Sequence, residues 1–123
     1  MPKILVVDDN LHLREILALM LHGSGYEILQ AASGSEAVKI AISDKPTLIL
    51  LDIDLPDMKG TDVARAIRSN STSAHIPIIG CSAFLGCHSR GEALDAGMVD
   101  YLEKPISLAL IKAKIDKVIC ADL

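Results

Sequence analysis

The sequence predicts an α/β protein built on a doubly wound, five-stranded parallel sheet with helices on both faces. Short apolar runs recur along the chain, and each is followed by a segment with apolar residues at three- and four-residue spacing, which is the helical period. Runs such as "LILL" at 48–51 are apolar at every position, as is typical of parallel strands buried on both faces. Regular alternation of strand and helix predicts this architecture.

The five apolar runs are the predicted strands. The first two read "KILVV" and "YEILQA". Pro46 and Pro77 precede the third and fourth runs, and proline is tolerated at the start of a strand. The fifth run, "VDYLE", follows Gly97. The predicted strands are residues 3–7, 26–31, 47–51, 78–81 and 99–103.

The five periodic segments are the predicted helices. The first stops near Gly23 and Gly25, and the second covers 33–42 after small, cap-forming residues. The third follows Gly60, the fourth covers about 88–96, and the fifth covers about 107–120. The residues that set the helical period are Leu13, Ile16, Leu17 and Met20, then Ala37, Val38, Ala41 and Ile42, then Val63, Ala64 and Ile67, and finally Ile111, Ile115, Val118 and Ile119.

Length and composition narrow the possible functions. With 123 residues, the chain is expected to form one domain over residues 1–123. The net charge of −4 gives no electrostatic reason to expect nucleic-acid binding. The three cysteines show no zinc-ligand spacing, which favours free thiols in a reducing cytoplasm. No apolar stretch approaches the ~20 residues of a membrane span.

Polar residues follow four of the five predicted strands. Asp8 and Asp9 follow the first strand, Asp52 the third, Ser82 the fourth and Lys104 the fifth. Because a doubly wound sheet places its site beyond the carboxyl ends of its strands, we expect these side chains to converge on one edge.

This combination of side chains indicates phosphoryl chemistry. Clustered carboxylates repel one another unless a cation or a proton joins them, and oxygen-only ligands suit Mg²⁺. A lysine and a hydroxyl beside the metal can bind phosphoryl oxygens, and phosphoryl transfer needs mainly positioning and charge stabilisation. One carboxylate can itself be the nucleophile and form an acyl phosphate.

Four motifs carry a resemblance to a known family. They are "VVDDN", "LLDIDLPDMKG", "CSAF" and "DYLEKP", in this order along the whole chain. The chain resembles a response-regulator receiver domain of two-component signalling, and because nothing in it resembles an output domain, it is most similar to the stand-alone, single-domain type. The resemblance implies a flavodoxin-like (βα)5 receiver fold.

The resemblance also implies a role for each acidic residue at the edge. Asp52 would be the phosphoacceptor. Asp8 and Asp9 would hold Mg²⁺ together with Asp52, and the backbone carbonyl of Asp54 would add a ligand. Asp57, which follows Pro56, is expected only to occupy a turn.

The remaining roles concern switching. By the resemblance, Lys104 would pair with the phosphoryl group or with Asp52, and Ser82 would reach for a phosphoryl oxygen. Tyr101 would be the aromatic switch that rotates inward as Ser82 moves. The chain carries Asp54 two positions after the phosphoacceptor and Phe84 two positions after Ser82. Both positions flank the path of attacking water in receivers, so they bear on the lifetime of the phosphorylated form.

The implied function is a cytoplasmic switch with no catalysis beyond self-phosphorylation and self-dephosphorylation. The phosphoryl donor would be a sensor histidine kinase or a phosphotransfer protein. A downstream protein would read the face formed by the fourth helix, fifth strand and fifth helix, with no direct nucleic-acid or membrane contact.

Two alternatives remain open at this stage. The "DID" at 52–54 also resembles the Asp-x-Asp of haloacid-dehalogenase-type phosphatases, although those usually place it on their first strand. A degenerate receiver used only for docking is the other alternative, and the complete acid, hydroxyl and lysine set argues against it.

Overall fold

The structure is a computed structural model that describes residues 2–82, 90–103 and 107–121. Within them, five strands form one sheet in the order β2-β1-β3-β4-β5, and every neighbouring pair is parallel. The strands are β1 (Lys3–Val7), β2 (Glu27–Ala31), β3 (Leu48–Asp52), β4 (Ile78–Ser82) and β5 (Asp100–Glu103). The predicted parallel sheet is confirmed, and no strand end is shifted by more than one residue from its predicted position.

The helices follow the strands as the periodicity predicts. They are α1 (Leu11–Gly23), α2 (Gly34–Asp44), α3 (Gly60–Ser69), α4 (Arg90–Asp95) and α5 (Leu108–Ala121). The predicted start of the fourth helix, at about 88, lies outside the described residues. No helix among the described residues is long and apolar enough to cross a membrane.

Two apolar clusters cover the two faces of the sheet. On one face, α1 and α5 pack against alternate residues of β1 and β3, such as Ile4 and Leu48. On the other face, α2, α3 and α4 pack against the intervening residues, such as Leu5 and Ile49. This arrangement is the doubly wound architecture that the sequence predicts. On α1, the fully buried residue is Leu21, whereas Ile16 is 49% exposed because it lies at the margin of the apolar face.

Arg68 connects the end of α3 to the turn between α4 and β5. Its guanidinium donates two hydrogen bonds to the carbonyl oxygen of Gly97, at 3.0 and 2.7 Å, and further bonds to the carbonyls of Ala74 and Ile76. Desolvation by burial lowers the pKa of Arg68 from its ordinary value. Gly97 has a φ of +100°, and a Cβ there would lie 2.8 Å from Cγ of Arg68, so glycine is required for this contact.

A second polar connection joins Tyr26, the residue before β2, to α5 on the opposite face of the sheet. The buried Tyr26 donates its hydroxyl proton to the carboxylate of Asp116, which also pairs with Lys112 at 2.7 Å. Burial, together with the hydrogen bond to Asp116, raises the pKa of Tyr26 to about 12. The hydrogen bond from Lys112, followed by that from Tyr26, lowers the pKa of Asp116.

Candidate functional site

Three carboxylates meet where the two central strands end. Asp8 directly follows β1, and Asp52 is the last residue of β3. Because β1 and β3 are parallel neighbours, both side chains reach the same edge of the sheet. Oxygen atoms of Asp8, Asp9 and Asp52 lie within 4.8 Å of one another. Asp8 and Asp52 are buried and Asp9 is exposed, as a cleft open to solvent requires.

The turn from β1 into α1 fixes Asp8. The backbone N–H of Asn10 donates to Oδ1 of Asp8 at 2.9 Å, and the Asn10 side chain in turn caps α1 by accepting from the N–H of Leu13. Arg14, one turn into the helix, donates from Nη1 to the Asp8 carbonyl oxygen at 2.7 Å. Sequence reasoning missed Arg14, because an arginine on an amphipathic helix carries no signal that it bonds a neighbouring turn.

Residue 54 contacts two of the predicted site residues. The backbone N–H of Asp54 donates to Oδ1 of Asp52 at 3.0 Å, and Oδ2 of Asp54 accepts from Oγ of Ser82 at 2.8 Å. Ser82 is fully buried at the end of β4, next to β3 in the sheet. The structure thus places Asp52, Asp54 and Ser82 together, and the contact between the last two was not expected from the sequence.

The loop from β3 to α3 is closed tightly around this group. Asp54 and Lys59 form an antiparallel bridge, and the N–H of Gly60 donates to the carbonyl of Ile53 at 3.0 Å. A Cβ on Gly60 would lie 2.5 Å from Cα of Ile53, so only glycine permits this approach. The loop closure fixes the backbone position of Asp54.

Asp57 does more than occupy the turn that its sequence position suggests. Its carboxylate accepts hydrogen bonds from the N–H groups of Gly34 and Ser35, at 2.9 and 3.1 Å. These are first-turn amides of α2, which have no partner within the helix. The same two bonds, Gly34 first, lower the pKa of Asp57. The β3–α3 loop is therefore held to α2 as well as to the sheet.

Tyr101 lies on the same face of the sheet as Ser82. It pairs with Gly80 in the β4–β5 register, two residues before Ser82, and strand residues two apart share a face. Its ring is only 5% exposed and belongs to the cluster under α2, α3 and α4. The inward position of Tyr101 is therefore already occupied in this structure. Two other residues of the sequence hypothesis, Phe84 and Lys104, lie outside the described residues.

The donor set of the edge suits a hard cation. Asp8, Asp9 and Asp52 offer only oxygen, and Mg²⁺ is typically held by one or two carboxylates while it retains several waters. The exposed Asp9 leaves room for such waters. The three carboxylates therefore fit a magnesium ion.

Comparison with known proteins shows that most of the chain matches one family of domains. The family model for the response regulator receiver domain matches residues 4–116. Response regulator MprA from Mycolicibacterium vanbaalenii is 38% identical over 113 residues, which are 92% of this chain and 48% of that protein. The chain spans about half the length of the curated relatives it matches.

Solved structures match the fold over nearly its full extent. The chemotaxis response regulator CheY4 of Vibrio cholerae has a TM-score of 0.89 and 28% identity, covering 96% of this chain and 98% of that one. The receiver domain of a sensor histidine kinase from Pseudomonas aeruginosa PAO1 has a TM-score of 0.87 and 33% identity, covering 96% and 97%. That structure has a magnesium ion coordinated in its active-site cleft.

Proposed function

Because the chain belongs to the response regulator receiver family, we propose that it is a phosphorylation-dependent signalling switch that accepts a phosphoryl group on Asp52. We propose that the receiver domain extends over residues 1–123. The family match covers residues 4–116, and α5 continues beyond it to Ala121. The observation that carries the proposal is the position of Asp52, buried at the end of a central strand beside Asp8 and Asp9.

The proposed reaction is phosphoryl transfer from a phosphohistidine. A carboxylate oxygen of Asp52 attacks the phosphorus, the phosphorus–nitrogen bond breaks, and the imidazole leaves and takes up a proton. The product is an acyl phosphate on Asp52. Water later attacks the phosphorus, which releases inorganic phosphate and restores the carboxylate. The N–H of Asp54 orients Asp52 through its bond to Oδ1, so that the nucleophile is held in place.

Mg²⁺ would be held by the carboxylates of Asp8, Asp9 and Asp52, with the backbone carbonyl of Asp54 as a further ligand. When bound, it neutralises the negative charge that these carboxylates and a phosphoryl group bring together. The three oxygen donors within 4.8 Å and the magnesium-bound receiver of the P. aeruginosa kinase support this assignment.

Three further residues are proposed to read the phosphoryl group. Lys104 would pair with it, and the hydroxyl of Ser82 would donate to one of its oxygens. Tyr101 would couple this change to the face made by α4, β5 and α5. The shared sheet face of Ser82 and Tyr101 supports this coupling.

The two alternatives are not favoured. A haloacid-dehalogenase-type phosphatase would carry its Asp-x-Asp on the first strand, whereas "DID" here lies at the end of β3. A docking-only receiver does not need the acidic cluster that the described residues retain.

The proposed partners follow from the family. The donor would be a sensor histidine kinase or a phosphotransfer protein, and the reader a downstream protein on the α4-β5-α5 face, without direct contact to nucleic acid or membrane. The switch would act in the cytoplasm and would catalyse only its own phosphorylation and dephosphorylation.

Intact mass measurement after incubation with acetyl phosphate and Mg²⁺ tests the proposal. The wild-type chain should gain the mass of one phosphoryl group, and Asp52→Asn should gain none while keeping its circular dichroism spectrum. The exposed Asp62→Asn, which removes the same charge from α3, is the matched control and should label like the wild type. Stoichiometric labelling of Asp52→Asn would reject the assignment.

A further inference from the structure

The hydroxyl of Ser82 already has an acceptor in this structure. It donates to Oδ2 of Asp54 at 2.8 Å, and its side chain is fully buried. A serine hydroxyl carries one proton and therefore donates to one acceptor at a time. If Ser82 is to donate to a phosphoryl oxygen on Asp52, its bond to the Asp54 carboxylate must first break.

The backbone around Asp54 is held in place by several contacts. Its N–H donates to Asp52, its bridge with Lys59 closes the loop, and Gly60 packs directly on Ile53. Because the backbone of residue 54 is fixed, the loop does not have to change its conformation for the Asp54 carboxylate to bond to Ser82. A hydrogen bond to a charged acceptor is also stronger than one between neutral groups.

We propose that Asp54 is a positioning residue that competes with the phosphoryl group for the proton of Ser82. The inference rests on the proposed function, since it assumes that Asp52 is the phosphoacceptor. The bond between Asp54 and Ser82 stabilises the unphosphorylated arrangement and opposes the phosphorylated one. Asp54 thereby sets how completely the switch responds once a phosphoryl group is present.

The charge of Asp54 has two further effects that an experiment must separate from this competition. A carboxylate near Asp52 repels an incoming phosphoryl group and attracts Mg²⁺. Both effects depend on the charge of residue 54 and not on the hydroxyl of Ser82. The competition, in contrast, requires both side chains, so the two contributions differ in a double-mutant cycle.

The experiment measures the affinity for beryllofluoride, a mimic of the phosphoryl group, at saturating Mg²⁺. The proteins are the wild type, Asp54→Ala, Ser82→Ala and the double variant, with Asp62→Asn as the charge control on α3. In Asp54→Ala we expect the affinity to rise about tenfold or more, the fold-change that corresponds to one hydrogen bond to a charged group. The same substitution in the Ser82→Ala background should give a clearly smaller rise. Asp54→Asn, which keeps an acceptor oxygen without the charge, should lie between the wild type and Asp54→Ala.

The outcomes separate this inference from the proposed function. An equal rise from Asp54→Ala in both backgrounds, no rise, or a fall would overturn the competition, while acetyl phosphate labelling of the wild type would leave the proposed function standing. Failure of the wild type both to label and to bind beryllofluoride would overturn both. A rise that depends on Ser82, in proteins with unchanged circular dichroism, supports the competition.

Discussion

Asp57 and Gly34 are joined by a hydrogen bond of 2.9 Å between a carboxylate oxygen and a backbone nitrogen, although they lie 23 positions apart in the chain. The bond links the loop that carries Asp54 to the first turn of α2. A carboxylate also interacts favourably with the positive end of a helix. The loop beside the candidate site is therefore stabilised by a second element as well as by its own strand.

Asp57→Asn is expected to lower the melting temperature at neutral pH, because an amide accepts these bonds without the charge. The hydrogen bonds hold the folded-state pKa of Asp57 below its value in the unfolded chain. The stabilisation is therefore present above the unfolded pKa and is lost as pH falls through the folded pKa. Thermal melts from neutral to strongly acidic pH should show the gap closing in acid. A gap that widens in acid would contradict the role of the carboxylate.

Mg²⁺ is expected to raise the melting temperature of the wild type. At about five times its dissociation constant, mass action adds about 1 kcal/mol to the free energy of unfolding, or about 4 °C. In Asp9→Asn the melting temperature without metal should be equal or higher, since one repulsive charge is gone, and the rise with Mg²⁺ should shrink. Asp62→Asn should respond like the wild type at the same ionic strength. An undiminished rise in Asp9→Asn would remove Asp9 from the site.

Tyr26→Phe is expected to lower the free energy of unfolding by about 1 kcal/mol at neutral pH, through loss of the bond to Asp116. The pKa of Tyr26 is raised from 10.0 to about 12 in the folded protein. Its stabilising effect is therefore complete below pH 10.0 and is lost as pH rises through about 12. Urea titrations at increasing pH should show the difference between the two proteins shrinking over this interval. A constant difference would mean that the tyrosine hydroxyl does not titrate in contact with Asp116.

Beryllofluoride is expected to change hydrogen exchange mainly between residues 82 and 105, and less so in Ser82→Ala. Tyr101 itself should stay buried, because its ring is already inward. The chain has two tyrosines and no tryptophan, so in Tyr26→Phe the tyrosine fluorescence comes from Tyr101 alone. Iodide should quench that emission weakly with and without beryllofluoride. Strong quenching in the free protein would show that Tyr101 turns outward there. In the exchange experiment, changes confined to the surroundings of Asp8, Asp9 and Asp52 would reject the switch.

The sheet and the acidic edge were predictable because their causes are local. A strand buried on both faces requires an unbroken apolar run, as at residues 48–51, and parallel topology then brings Asp8 and Asp52 to one edge. Ile16 shows the limit of periodicity, since a residue at the margin of an apolar stripe can remain exposed.

The polar contacts between distant residues were not predictable. A hydrogen bond from one side chain to a group far along the chain imposes no periodic pattern on either segment. Only the packed fold decides which turn lies beside which helix. Examples among the described residues are Asp57 with Gly34, Ser82 with Asp54, Arg68 with Gly97, and Tyr26 with Asp116.

The parallel order of the sheet governs how fast the chain can fold. A short hairpin cannot connect two parallel strands. Two parallel strands that are consecutive in the chain must therefore be joined by a longer crossover connection, which here contains a helix. At the centre of the sheet, the start of β1 bonds to Thr47, 44 residues away. Closing that loop costs entropy before its contacts exist, so we expect a rate between those of helical bundles and β-sandwiches. If this central pairing limits the rate, substitutions in β1 and β3 should slow folding, while those in α5 should mainly speed unfolding.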